Sequence, residues 1–317
     1  MTTPHHSPRP MRATCPEDLL AFVPVAIGFR PAHSVVLLSL AGDRPFHARA
    51  DLPDDESDVD LVVEALLHPV AAHAVTTVVL VVYDDDTAVA DETAWTLHEA
   101  LAAAGVEVFE VLRVHDGHWF SVLPGRAPET YRGVPFDVDH HRFAAESVLS
   151  GRVTHASREA LAATLARDDD AARQVGDLLD AARPLAPAGV RPLVSRHAEA
   201  REPAPAEAVA TLAVALALPD LRDEAWCWLT RDVARTYVEF WSDVVRRTPE
   251  VLVPGPASVL AFTAWLAGEG ALAWCAVDLA RSVAPQHSLA RLVADLLTSA
   301  TSPDLWASMT RPGEGAA

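Results

Sequence analysis

Two apolar runs constrain this chain more than any other feature: Ser34 to Leu40 (SVVLLSL) and Thr76 to Tyr83 (TTVVLVVY). A strand with one wet face alternates polar and apolar residues, whereas a near-continuous run is expected where both faces are covered. Both runs therefore belong inside a sheet with layers on either side. The neighbouring segments can supply those layers. Pro16-Glu17-Asp18 opens a short helix, with Thr14 as its N-cap and Pro24 as its limit. Gly28-Phe29-Arg30-Pro31 reads as a turn. Asp58 to Leu67 and Asp91 to Ala103 carry helical patterns, the second ending at Gly105.

Further strands follow from the turns. Ala41-Gly42-Asp43-Arg44 reads as a hairpin into a strand at Phe46 to Leu52, antiparallel to the first run, because the connection is too short for a parallel crossover. This strand alternates: Phe46, Ala48, Ala50 and Leu52 face one way, and His47, Arg49 and Asp51 the other. Val106 to Val114 is a strand joined to His118 to Val122 by Asp116-Gly117, a strong two-residue hairpin signal. The three apolar strands are expected in one sheet. The fold expected is an α/β N-terminal domain, a mixed sheet with antiparallel hairpins and helices packed on it.

The second half reads differently. Helical patterns run through about 140–150 and 157–181, the latter with Ser157 as N-cap. Residues 183–206 are rich in Pro and Ala and lack a period, so they read as a linker. From Glu207 the pattern is helical, broken at Pro219, Pro249 to Pro256, Gly268 to Gly270, Pro285 and Pro303, without a fixed repeat. The organisation expected is a disordered tail at 1–13, an α/β domain with trailing helices at 14–182, the linker, and an all-α helical-hairpin domain at 207–310.

Composition removes several chemistries. The 317 residues contain no lysine and no asparagine, and a single isoleucine, Ile27. Their codons are AT-rich, so the bias reads as a GC-rich source. Without lysine there is no Schiff-base nucleophile, no P-loop lysine and no kinase strand lysine. Without asparagine there is no Cys-His-Asn protease. A formal net charge of −19 argues against nucleic acid as a partner, because phosphate binding needs a basic footprint. Cys15, Cys227 and Cys275 stand far apart with no CxxC pair, which reads as reduced thiols rather than a zinc ribbon. The opening MTTPHHSPRP has no apolar segment of the signal-peptide kind, and no charge-free apolar run reaches ~18 residues. The expectation is a cytoplasmic protein with no membrane partner, no metal and no cofactor.

Several segments together carry a family resemblance. Pro24 to Ser34 (PVAIGFRPAHS) followed by Arg49 to Pro53 (RADLP) resembles the opening of an actinobacterial family known only as a domain of unknown function. Gly151-Arg152-Val153, Ser157-Arg158-Glu159, Arg222-Asp223, Gly268 to Ala273 (GEGALA) and Pro285 to Ala290 (PQHSLA) are similar to its later blocks. The resemblance covers most of 14–165 and 207–300, and the opening block is the distinctive part. Members often carry a Cys-rich loop after the tryptophan-bearing hairpin strand. Leu123 to Val134 has no cysteine here, so a thiol or metal role for that loop does not transfer. The resemblance implies organisation and no activity.

Each candidate for chemistry has a structural alternative. Asp84-Asp85-Asp86 ends a buried strand, where open α/β sheets bind ligands and where carboxylates suit Mg²⁺; loop acids that start the next helix look the same. His115 and His118 bracket a hairpin, but zinc needs three or four ligands, and Asp137, Asp139, His140 and His141 contribute only if the fold brings them there. Trp226, Trp228, Trp241, Trp265 and Trp274 read as helical core before they read as a groove. Gly268-Glu269-Gly270 follows a helix, so it reads as a turn and not a phosphate loop. The strongest candidate ligand-binding set is Gly28, Arg30, His33, Ser34, Arg49 and Asp51, with the competing account that Arg49 and Asp51 brace the sheet edge. Two functions stay open. One is a non-catalytic binding or scaffold protein for an unknown protein or small molecule. The alternative is a hydrolytic or metal-assisted enzyme with its site in the α/β domain, which neither a GxSxG elbow nor an HExxH helix supports.

Overall fold

The computed structural model describes residues 12–40, 46–149 and 153–306. The hairpin turn expected at Ala41 to Arg44, Gly151-Arg152, and most of the N-terminal tail lie outside the described residues. The chain divides into two compact units at Arg158/Glu159.

The first unit holds Pro16–Ile27 (α1), Ser34–Ser39 (β1), His47–Asp51 (β2), Val59–Ala72 (α2), Thr77–Tyr83 (β3), Thr87–Ala103 (α3), Glu107–His115 (β4), His118–Ser121 (β5), Val134–Pro135 (β6) and Arg142–Leu149 (α4). The six strands form one sheet in the order β2-β1-β3-β4-β5-β6. β1 runs antiparallel to both β2 and β3, β3 and β4 are parallel, and β4-β5-β6 are antiparallel. This is the mixed sheet with hairpins that the sequence pattern requires. At the β4–β5 turn Asp116 and Gly117 both take positive φ (45° and 69°), as a two-residue primed hairpin demands.

All six residues of β1 and the central five of β3 are buried because the sheet is covered on both faces. Val35, Leu37, Val78, Leu80 and Val82 pack with α2 and α3 through Val63, Leu66, Ala94 and Leu97. Val36, Leu38, Val79 and Val81 point the other way, against Leu19, Leu20 and Val23 of α1. Each such side chain removed from water contributes roughly 2 kcal/mol.

The start of α1 differs from expectation. Cys15 is the N-cap residue and makes no side-chain cap bond. Asp18 instead reaches back, accepting from the Thr14 backbone N–H at 2.7 Å and the Thr14 hydroxyl at 2.8 Å. The buried carboxylate also receives His141 Nε2–H at 3.1 Å and the Arg142 guanidinium at 3.2 Å. The His141 Nδ1 accepts the Phe143 N–H, which fixes the ring as the Nε2–H tautomer. Burial opposes ionisation of Asp18, but the Thr14 hydrogen bonds and the Arg142 charge outweigh it and hold the carboxyl at about 2. Nor does Pro24 end the helix. It lies inside α1, its carbonyl accepts the Gly28 N–H at 2.9 Å, and Gly28 closes the helix at φ 87°.

The second unit is all helix: Arg158–Ala163 (α5, whose first residue is the boundary), Asp169–Gly176 (α6), Pro187–Ala200 (α7), Ala206–Ala215 (α8), Pro219–Asp223 (α9), Arg231–Arg247 (α10), Pro254–Ala267 (α11), Gly270–Val283 (α12) and Ser288–Thr298 (α13). Two boundaries of the sequence reading change. The segment read as a linker contains α7, which starts on Pro187 and buries Val190, Val194 and Ala198 on one stripe. Proline at the first helical turn needs no N–H partner, so a Pro-Ala composition conceals a helix rather than excluding one. Of the helices read as trailing the α/β domain, α4 belongs to the first unit, whereas α5 from Glu159 onward and α6 lie in the second, where α6 packs on α8 and α10 and the Asp168 N–H bonds the Arg246 carbonyl at 2.8 Å. Helix α11 is the centre of this unit, buried continuously from Pro254 to Leu266. Gly268 (φ 81°) then ends α11, and Glu269 precedes α12, as a helix-to-helix turn.

Two predictions follow from packing. At Gly255 an added Cβ would stand 2.7 Å from the Leu216 carbonyl oxygen, a backbone atom that cannot give way. Gly255→Ala is expected to cost about 1–3 kcal/mol in urea denaturation. Asp18→Ala leaves Arg142 and His141 facing an empty acceptor position and is expected to cost about 3 kcal/mol. Because the Asp18 pKa is depressed on folding, its stabilisation is complete above the ordinary carboxylate range and is lost as pH falls through about 2. The difference in denaturation midpoint between wild type and Asp18→Ala, measured against pH, should therefore shrink only in strong acid.

Candidate functional site

In open α/β sheets ligands gather outside the carboxyl ends of parallel strands. Here that edge is the end of the β3–β4 pair, and the residues there are Asp84, Asp85, Asp86 and His115. Their carboxylates do not converge. Asp84 accepts His33 Nδ1–H at 2.5 Å and the Asp86 backbone N–H at 2.7 Å. Asp85 pairs with His115 Nδ1 at 3.1 Å. Asp86 caps α3 by accepting the Ala88 N–H at 2.9 Å. The helix-starting account of this acidic run thus holds for Asp86, and His33 claims Asp84.

His33 reaches Asp84 from an unusual backbone position. Its φ of 44° lies in the left-handed region, which a non-glycine residue occupies at a cost of order 1 kcal/mol. The side chain of Asp84 is only 8% exposed, whereas that of His33 is 48% exposed. A nearly buried carboxylate therefore orients an imidazole whose Nε2 lies 3.8 Å from the exposed Asp54.

In the polar row of β2, His47 and Arg49 are largely covered and Asp51 is exposed. Register places Arg49 opposite Val36 and His47 opposite Leu38, so the row shares the face covered by α1. His47 meets the Phe22 ring edge-on at 5.2 Å. The Arg49 guanidinium lies 5.5 Å from the centroid of the Phe29 ring and pairs with Asp51 at 2.5 Å. Phe29 is buried and is held there by a parallel bridge to His155, with the Arg30 N–H on the His155 carbonyl and the His155 N–H on the Gly28 carbonyl. The Arg30 side chain pairs with Asp139.

Ser34, Arg49 and Asp51 are therefore neighbours on one face at the β1–β2 end, with Gly28 and Phe29 above them. His33 is adjacent in the chain but is committed to Asp84, and Arg30 turns away to Asp139. Three buried polar atoms on this face of β1 and β2 have no hydrogen-bond partner among the described residues: Ser34 Oγ, Arg49 Nε and His47 Nδ1. Tyr83, opposite Ser34 on β3, is also enclosed, and burial raises its phenol far above the ordinary value.

The other candidates separate. His115 and His118 are cross-strand partners, but His118 Nδ1–H donates to the Asp116 carbonyl at 2.7 Å. His140 pairs with Asp137 at 2.6 Å, and His141 with Asp18. Among the described residues no three His, Cys, Asp or Glu side chains are grouped to hold a metal ion. In the second unit Trp241 and Trp265 are buried, and Trp226 packs against Phe262 and Trp306. Trp226, Trp241 and Trp265 thus fit the core reading, while Trp228 and Trp274 are half-buried. Sequence reasoning missed the His33–Asp84 pair, the His155 clasp and the stacking of Phe29 on Arg49. Only the acidic run after β3 signalled any of them.

Burial of His47 predicts a pH dependence. Enclosure disfavours the charged imidazolium and lowers its pKa from 6.5 to about 4. The unfolded chain then binds a proton that the folded chain refuses, so stability is complete above about 6.5 and falls as pH drops toward 4. The loss attributable to His47 is roughly 3 kcal/mol between pH 7 and pH 4. His47→Leu should flatten that part of the urea-midpoint profile; an unchanged slope would show that the imidazole is not enclosed.

No curated protein and no solved structure matches the chain. One family model does, that of Domain of unknown function (DUF4192), over residues 16–304. The match runs from the first helix through the last described segment and includes both the His33–Asp84 pair and the helical unit. The chain belongs to the DUF4192 family.

Proposed function

We propose that this chain is a non-catalytic binding protein that takes up its ligand at the α1-covered end of β1 and β2. The observation that carries this reading is the pairing of the charged side chains at the strand ends. Arg49 with Asp51, Arg30 with Asp139, His33 with Asp84 and His115 with Asp85 each engage a partner of opposite sign. Acyl or phosphoryl transfer by an activated hydroxyl needs the nucleophile within reach of its base. His33 bonds a carboxylate, while the Ser34 hydroxyl is buried and has no hydrogen-bond partner among the described residues, so the two do not form a Ser-His relay. Two open grooves, one bordered by Arg167, Arg173, Asp177 and Glu250 and the other by Asp139, His140, Ala144, Val148 and Leu149, include neither Ser34 nor Arg49.

The remaining properties fit this role. No helix among the described residues is long and apolar enough to cross a membrane. With a net charge of −19, the natural partner is a small molecule or a protein rather than nucleic acid. A cytoplasmic setting in a GC-rich actinobacterium suits cysteines that form no disulfide among the described residues and a composition without lysine or asparagine.

The enzymatic alternative rests on the His33–Asp84 pair, which has the orientation of a general base. Purified protein should give no turnover above blank with chromogenic esters, amides and phosphomonoesters near neutral pH. Turnover that disappears in both His33→Ala and Asp84→Asn would overturn the binding reading.

A further inference from the structure

We infer that the Arg49 site is built for a compact oxyanion, the carboxylate or phosphate of a small molecule, and that Asp51 stands in for that group when the site is empty. The inference rests on the binding reading and names the chemistry of its ligand.

Arginine recognises oxyanions with the edge formed by Nε–H and one Nη–H, two parallel donors that match two oxygens. On Arg49 only half of that edge is used. Asp51 contacts Nη2 at 2.5 Å, while Nε is buried and has no acceptor among the described residues. A buried donor left unmade costs about 1–3 kcal/mol, and native structures retain few of them without a water, an ion or a function to explain it. Asp51 cannot easily supply the second contact. It lies two residues along the same strand, so its reach is set by the strand backbone, and its side chain is 70% exposed.

The second observation is Ser34. Its residue is fully buried, and its hydroxyl also lacks a partner among the described residues. Ser34 is opposite Asp51 in the β1–β2 register, and Arg49 is opposite Val36, one pleat along on the same face. Diagonal neighbours of this kind stand roughly 7 Å apart at their Cα atoms, within reach of a long side chain. The Nε–H of Arg49 and the O–H of Ser34 are thus two donors without a partner among the described residues, beside a third donor that an exposed carboxylate occupies. Donors in excess of acceptors call for a ligand that is all acceptor. Phe29, clasped by His155, places its ring with the centroid 5.5 Å from the guanidinium carbon.

An incoming oxyanion would span Nε and Nη2, accept from Ser34, and release Asp51 to water. Asp51 therefore competes with the ligand. Removing its charge should strengthen binding, and a charge at about 4 Å in water is worth about 1 kcal/mol, or about fivefold in affinity.

The test is thermal denaturation with increasing inorganic phosphate or acetate, against chloride at matched ionic strength. Wild type should show a saturable rise in melting temperature, and Asp51→Asn should saturate at about fivefold lower concentration. Arg49→Lys keeps the charge but loses the fork, and Ser34→Ala keeps the packing; each should weaken the effect about tenfold or more. A stronger response to phosphate would assign the ligand as a phosphate compound, and to acetate as a carboxylate. The inference is overturned if neither anion outdoes chloride in wild type and in Asp51→Asn, or if the effect survives Arg49→Lys and Ser34→Ala together. That failure would leave the absence of turnover standing, whereas turnover lost with His33→Ala would overturn the binding reading and leave the anion effect intact.

Discussion

The first unit depends on the burial of β1 and β3 from both sides. Two adjacent strands with apolar residues at nearly every position can be stable in water only if a helix layer covers each face, and α1 on one side with α2 and α3 on the other provides it. Everything at the candidate site is a consequence of that sandwich. Because α1 must lie over β1, its end at Gly28 places Phe29 above Arg49. Because β2 pairs with β1 at the sheet edge, its polar row is carried under the same helix. Three polar side chains are enclosed at the margin of an apolar layer, and three of their atoms lack partners there.

Enclosure changes what those side chains can do. An exposed Arg-x-Asp on a strand is a weak surface ion pair worth well under 1 kcal/mol. The same pair with the arginine side chain 16% exposed and its Nε orphaned is a directional donor set. His47 shows the same physics with opposite consequence, since burial makes it a neutral ring whose protonation opposes folding. By contrast, Asp18 is buried with four donors and becomes a fixed anion that ties the start of α1 to the segment before α4. Burial raises the stakes for a polar group, and its partners decide the sign.

The sequence by itself determined the strands, the hairpins and most of the helices, because periodicity and turn chemistry are local. The two-residue Asp116-Gly117 turn, the antiparallel β1–β2 pair and the glycine turn at 268–270 follow from residues next to each other in the chain. The family match extends over the same segments in which the sequence resemblance lay. Tertiary structure decided what depends on partners distant in sequence. Composition alone could not show that Pro187 starts a helix in a segment read as linker, since only the cover over Val190, Val194 and Ala198 makes that helix worth forming. Nor could alternation in β2 say which face was wet: the period of two separates the faces, but α1, more than twenty residues away, covers the polar one. His33 finds Asp84 across 51 positions and Phe29 meets His155 across more than a hundred. Those contacts, set by how the layers stack rather than by any local preference, turn scattered polar residues into a candidate site.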